Sequence, residues 1–160
     1  MQVHASPVRT LPTPAAIRPY LRRRDDAVLS ELLERYGAHG GLASTTEVVS
    51  LMRPHWRQPI SMLSHWIVSR KVVSFTCRGQ MLLPLFQFMR PRMTPHDCIH
   101  AVSQQLADLL DDEALGAWFV RPSEWLGHAM PVDRVVDDPQ AVLGAARSTR
   151  ERLLALRCAD

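Results

Sequence analysis

His96, Cys98 and His100 stand close together, and histidine and cysteine are the residue types that hold zinc. A structural zinc site wants four ligands at recurring spacings, and on a helix residues 96 and 100 share a face while 98 points elsewhere. Local capping and packing is the better reading, and no metal is expected. Asp111 with Asp112, and Asp137 with Asp138, are carboxylate pairs of the kind used for acid and base work. Each pair falls where a helix should start, so capping and the helix dipole account for it. The chain has no GxGxxG, no GK[ST] and no GxSxG. No catalytic residue, no cofactor and no enzyme activity are expected.

The chemistry that remains is ionic recognition. The net charge of +3 hides an uneven split. Residues 1–92 hold thirteen Lys/Arg against five Asp/Glu, and residues 93–160 hold six against eleven. A basic half at +8 and an acidic half at −5 imply two different surfaces. Every basic residue but Lys71 is arginine, whose planar fork suits phosphate.

With 160 residues the chain is long enough for one domain, or two very small ones sharing a core. At 46% apolar and 22% charged it has an ordinary globular composition. No apolar run reaches the roughly 18 residues of a membrane span. The opening MQVHASPVRTLPTP has no apolar core of a secretory signal. Three distant cysteines without a CxxC are expected to be reduced thiols in a cytoplasmic protein.

The positioning elements follow in order. Residues 1–20 carry four prolines and are expected to form a flexible arm. Residues 25–36 repeat apolar side chains at Val28, Leu29, Leu32, Leu33 and Tyr36, which predicts a helix stopped at Gly37. Ser44 and Glu47 form a capping-box pair ahead of a short helix that Pro54 ends. Pro59 opens a second helix, to about Arg70, with Ile60, Leu63, Trp66 and Ile67 inward. Two short helices around a break outline a helix-turn-helix. Residues 71–77 and 81–88, joined by Arg78-Gly79-Gln80, read as a β-hairpin, hence a wing. Pro84 places its strand at an edge or end.

On this reading Arg57, Arg70, Lys71 and Arg78 contact phosphates, and Gln58, Ser61 and His65 reach bases or nearby atoms. Residues 89–94 form a linker. Thr94 caps a helix with Pro95 at its first position. A second helix runs through Leu115, Trp118 and Phe119, with both aromatics expected in the core. One turn at 123–126 closes at Gly127, another opens at Pro131, and Asp138-Pro139 starts the last helix.

Trp118, Pro122, Leu126-Gly127, Pro131-Val132, Val135, Val136 and Ala141-Val142 form a frame that resembles the toxin-binding domain of Xre/MbcA/ParS-type bacterial antitoxins. Residues 84–88, PLFQF, resemble the end of the helix-turn-helix-like module that some members carry upstream. The likeness spans roughly 44–147 and is strongest over 115–146. Ser123 and His128 stand where asparagine and a second glycine are common. The resemblance implies an antitoxin that binds operator DNA and masks a toxin, typically a RES-domain protein that consumes NAD.

The expected fold is therefore mainly α with one β-hairpin. A winged helix-turn-helix-like module (21–92) precedes a small helical toxin-binding-type domain (93–160). The expected function is an antitoxin-like repressor, a homodimer, holding its partner through Ser123, Trp125, Leu126, Gly127, His128 and the last helix. The alternative is a protein–protein adaptor whose helix-turn-helix no longer binds DNA.

Overall fold

The structure is a computed structural model that describes the backbone of residues 14–159 and the side chains of residues 26–159. It is mainly helical with small antiparallel sheets. The elements are α1 (Pro14–Gly37), β1 (Leu42–Ser44), α2 (Thr45–Met52), α3 (Pro59–Val68), β2 (Phe75–Cys77) and β3 (Gln80–Pro84). Then follow β4 (Phe88–Met89), β5 (Thr94–Pro95), α4 (Asp97–Leu106), α5 (Asp112–Phe119) and α6 (Pro139–Arg157).

Local signals place most helix starts where the sequence puts them. Ser44 Oγ accepts from Glu47 N, and the Glu47 carboxylate accepts from Ser44 N at 2.7 Å, so the capping box before α2 is complete. The Ser44 backbone N–H, and after it the Ser44 hydroxyl beside the carboxylate, hold the Glu47 carboxyl below its usual range. Asp111 and Asp138 cap α5 and α6 through Ala114 N and Ala141 N. Pro59 and Pro139 occupy first-turn positions, where a missing N–H leaves nothing unpaired.

The start of α1 differs from expectation. The helix begins at Pro14 and runs through Pro19, so the arm expected over 1–20 is helical from residue 14. Residues 1–13 lie outside the described residues. Pro14 needs no helical donor, and Pro19 removes only one i−4 bond near the first turns.

β1, β3 and β2 form an antiparallel sheet in that order. Ala43 pairs with Leu83 and Phe75 with Leu82. A hairpin is present, but its strands are shorter than the expected 71–77 and 81–88: Gln80 pairs with Cys77, and 85–87 leave the ladder. The turn is Arg78 and Gly79, which both take positive φ (52° and 75°). β3 is the central strand, because β1 joins its other side. Pro84 is tolerated as its last residue.

Side chains alternate across the sheet and divide the core. Ala43 and Leu83 face α2 and α3, packing with Val48, Met52, Leu63 and Trp66. Phe75, Leu82 and Leu42 face the opposite core of α1 and α4–α6. Leu32 and Tyr36 of α1 belong to that second core, with Phe119 and Val142. Tyr36 Oη donates to Gly116 O at 2.5 Å. The division of the core therefore does not follow the expected boundary at 92/93, since α1 packs with the C-terminal helices.

The expected linker at 89–94 is ordered structure. β4 and β5 pair as Phe88↔Pro95 and Met89↔Thr94, and Met93 is buried between them. Thr94 and Pro95 are thus held in a ladder and do not open a helix. α4 starts two residues later, behind His96, whose N–H donates to Gln87 O. Arg150 of α6 clamps the end of α4 with two bonds to Asp108 and one to Gln105 O. No helix among the described residues is long and apolar enough to cross a membrane.

Candidate binding surfaces

The face predicted to meet DNA is carried by α3 and its flanks. Arg57 and Gln58 lie in the break before α3, and Ser61 and His65 lie one turn apart on it; all four are exposed. Lys71 is exposed just beyond the helix. Arg70 and Arg78 are exposed but engaged. Arg70 Nη1 bonds Asp112 Oδ1 at 3.0 Å, and Arg78 bonds Asp26. The structure therefore groups the break and helix residues, while two of the expected phosphate contacts face acids of the same chain.

The inner face of α3 also differs from expectation. Leu63 and Trp66 are buried, whereas Ile60 is 64% exposed. Val68, two turns further on, is 84% exposed. Ile60, Ile67 and Val68 border an open apolar groove with Val49 and Met81, and Arg53 stands on it. At about 100° per residue the two are offset by about 80° around the helix, so Ile60, Ser64 and Val68 follow one oblique i, i+4, i+8 ridge.

The second candidate surface is built by residues 123–129 against α5 and α6. Ser123 O accepts from both Leu126 N and His128 N, and Ser123 N donates to Ala129 O at 3.0 Å. Gly127 and His128 both take positive φ (62° and 67°) to close this loop. The second of these positions suits glycine, and His128 occupies it in the left-handed region. The expected partner residues Ser123, Trp125, Leu126, Gly127 and His128 thus sit in one closed loop. Leu126 is half-buried, Gly127 and His128 are exposed, and Trp125 is 39% exposed.

Beside the loop is a cleft of about 270 Å³ between α5 and α6. Trp118, expected in the core, lines this cleft and is only half-buried, while Phe119 is fully buried. Trp118 Nε1 donates to Thr149 Oγ1 at 3.2 Å, which fixes the indole against α6. Leu110, Ala114, Pro122 and Leu153 complete the apolar walls. Two arginines stand at the mouth. The Arg152 guanidinium carbon lies 5.5 Å from the Trp125 ring centroid, and Arg152 bonds Glu124. Arg121 lies 3.8 Å from Glu31 Oε1, an oxygen that already accepts from Arg35 Nε at 3.0 Å. The sequence puts Trp118 in the resemblance frame and in the expected core, and marks neither Arg121 nor Arg152. The signal it held was the arginine immediately before Pro122.

The residues considered for metal or catalysis are spread among other partners. Cys98 Sγ lies 3.7 Å from Pro139 O, and His100 Nδ1 lies 3.2 Å from Arg70 O. Burial lowers the His96 pKa and pushes the Cys98 thiol up, away from the reactive thiolate. Among the described residues no cluster of three or more His, Cys, Asp or Glu could hold a metal ion.

Comparison with family models, curated proteins and solved structures finds no match for the chain.

Proposed function

We propose that the chain is an antitoxin-like regulator that does no chemistry itself. Its front module contacts operator DNA, and its back half holds and neutralises a partner protein. The observation that carries this reading is the order helix, strand, helix, helix, strand, strand, with β1 beside β3. That order supports a winged helix-turn-helix reading, in which α2 and α3 are the paired helices and the β2–β3 hairpin is the wing. Charge supports it as well. Residues 42–92 carry seven Lys/Arg and one acid, Glu47. Arg53, Arg57 and Lys71 are exposed and make no ion pair among the described residues.

The test is a mobility-shift titration of the full chain on duplex DNA from its own promoter. Affinity should fall steeply between 50 and 200 mM salt, a range suggested by the scale of counterion release, about 10³-fold or more for six phosphate contacts. Changing Arg53, Arg57 and Lys71 together to Ala should lower the log–log salt slope by about 2.7, or 0.9 per lost contact. Absence of a shift at the lowest salt sinks the DNA-binding half of the reading. The resemblance implies a RES-type toxin as partner. A pull-down with the product of the neighbouring reading frame tests that half, and sedimentation tests the homodimer.

The second reading is a protein–protein adaptor, and a specific observation favours it. Ile60 and Val68, one turn either side of Ser64, leave two large apolar side chains exposed on α3, where a groove-reading helix would gain more from polar side chains. Retained partner binding with no DNA shift selects this reading.

A further inference from the structure

We infer that the cleft between α5 and α6 is an anchor site for one bulky apolar side chain of a partner protein, with a neighbouring carboxylate held by Arg121. The inference deepens the reading of residues 123–128 as partner surface and rests on it.

Size sets the first limit. A dry cavity of about 150 Å³ already holds a benzene ring, and pockets for drug-sized molecules start near 300 Å³. At about 270 Å³ the cleft fits one aromatic or branched side chain and is small for a cofactor. Its walls fit the same guest. Trp118, Leu110, Ala114, Pro122 and Leu153 are apolar, and the Trp118 N–H is already used by Thr149. An incoming group therefore finds hydrophobic surface inside and no free indole donor on Trp118.

Charge sets the second limit. At the mouth, Arg152 is matched by Glu124 and lies over Trp125. Arg121 is not matched in the same way. Its nearest carboxylate oxygen, on Glu31, is 3.8 Å away and bonded to Arg35. Two guanidinium groups thus share one carboxylate, which leaves a surplus positive charge beside the opening. Arg121 is 59% exposed and so is reachable by a carboxylate from solvent. A guanidinium accepts a carboxylate in a fork of two parallel bonds, stronger than the existing long contact. An apolar residue next to an acidic one complements both features.

The probes are the capped dipeptides acetyl-Phe-Asp-amide and acetyl-Phe-Asn-amide, titrated into the ¹⁵N-labelled full chain. The readout is the indole N–H resonances of Trp118 and Trp125. The acidic probe should shift both, with a millimolar dissociation constant typical of so small a ligand. The amide probe should bind at least fivefold more weakly. Arg121→Gln, at an exposed position, should erase the difference between the two probes. Ala114→Leu fills the cleft with a good helix former and should remove both titrations. Equal binding of the two probes to the unaltered chain overturns the assignment of Arg121. Silent indoles, or binding unchanged in Ala114→Leu, overturn the site. A stable dimer that already covers both indoles overturns it too, because the occupant is then a second copy. None of these results alters the pull-down with the product of the neighbouring reading frame, so failure of the cleft and failure of the partner-surface reading remain separable.

Discussion

The side-chain amide of Gln87 brackets the Val73 peptide: Val73 N donates to Gln87 Oε1 at 2.6 Å, and Gln87 Nε2 donates to Val73 O at 2.9 Å. Gln87 has no exposed surface, and Val73 belongs to the core that α1 shares with the C-terminal helices. The amide supplies, at one residue, the two bonds that a neighbouring strand would supply. It joins the chain ahead of β2 to the turn ahead of β4. Because Gln87 O also accepts from His96 N, the same residue holds the start of α4.

Gln87→Leu keeps the volume and removes both bonds. Two buried backbone groups then lose their partners, at about 1–3 kcal/mol each. Urea unfolding should show a loss of roughly 2–6 kcal/mol, the sum of those two costs. A loss below about 1 kcal/mol would mean that water replaces the amide, against the burial seen.

Gly116 lies where α5 crosses the sheet. A Cβ there would meet Phe75 Cδ1 at 3.2 Å and Cε1 at 3.3 Å, and Phe75 is itself buried. Alanine improves helix propensity by about 1 kcal/mol, but overpacking costs about 1–3 kcal/mol. Gly116→Ala should therefore destabilise by about 1 kcal/mol net of those terms. In Phe75→Leu the same change should cost less, and a double-mutant cycle measures that coupling. Additive effects would show that the ring moves aside freely.

Tyr36 gives the protein a dependence on alkali. Burial pushes its phenol pKa well above the usual value, so the folded chain keeps the proton that the unfolded chain releases. A group raised on folding contributes fully below its unfolded pKa of about 10 and loses that contribution as pH rises further. The stability difference between the unaltered chain and Tyr36→Phe should be constant up to about pH 9 and shift against the unaltered chain above pH 10, on either side of that unfolded value. A pH-independent difference through pH 11 would contradict the burial of this hydroxyl.

The ion pairs at the front surface bear on DNA binding. Asp112 and Asp26 partner Arg70 and Arg78. Changing both aspartates to Asn should free two cations. Affinity for duplex DNA at low salt should rise, and the salt slope should steepen by up to about 1.8, or 0.9 per cation. Exposed pairs contribute about 0–1 kcal/mol each, so folding should be little affected. An unchanged slope would place both arginines away from the DNA backbone.

The features legible along the chain are those decided within about four residues. Ser44 with Glu47, Asp111, Asp138 with Pro139, Pro59, Gly127 and the Arg78-Gly79 turn each act through a hydrogen bond or a φ value set by near neighbours. Their helix starts and turns follow from residue type alone. The loop at 123–128 was legible for the same reason.

Tertiary structure decided the rest. β1 is three residues long, too short to show a period, and it exists because β3 lies alongside it some forty residues later. Thr94 and Pro95 have the types of a helix start, but pairing with Phe88 and Met89 holds them extended. The periodicity of α3 identifies apolar positions without saying which neighbour covers them, and Ile60 and Val68 are left outside. The cleft beside Trp118 needs α5, α6 and the 123–129 loop at once, and the surplus charge at its mouth comes from Glu31 shared between Arg35 and Arg121. Local hydrogen bonding and backbone preference are written residue by residue, whereas burial and charge pairing depend on segments that meet only after folding.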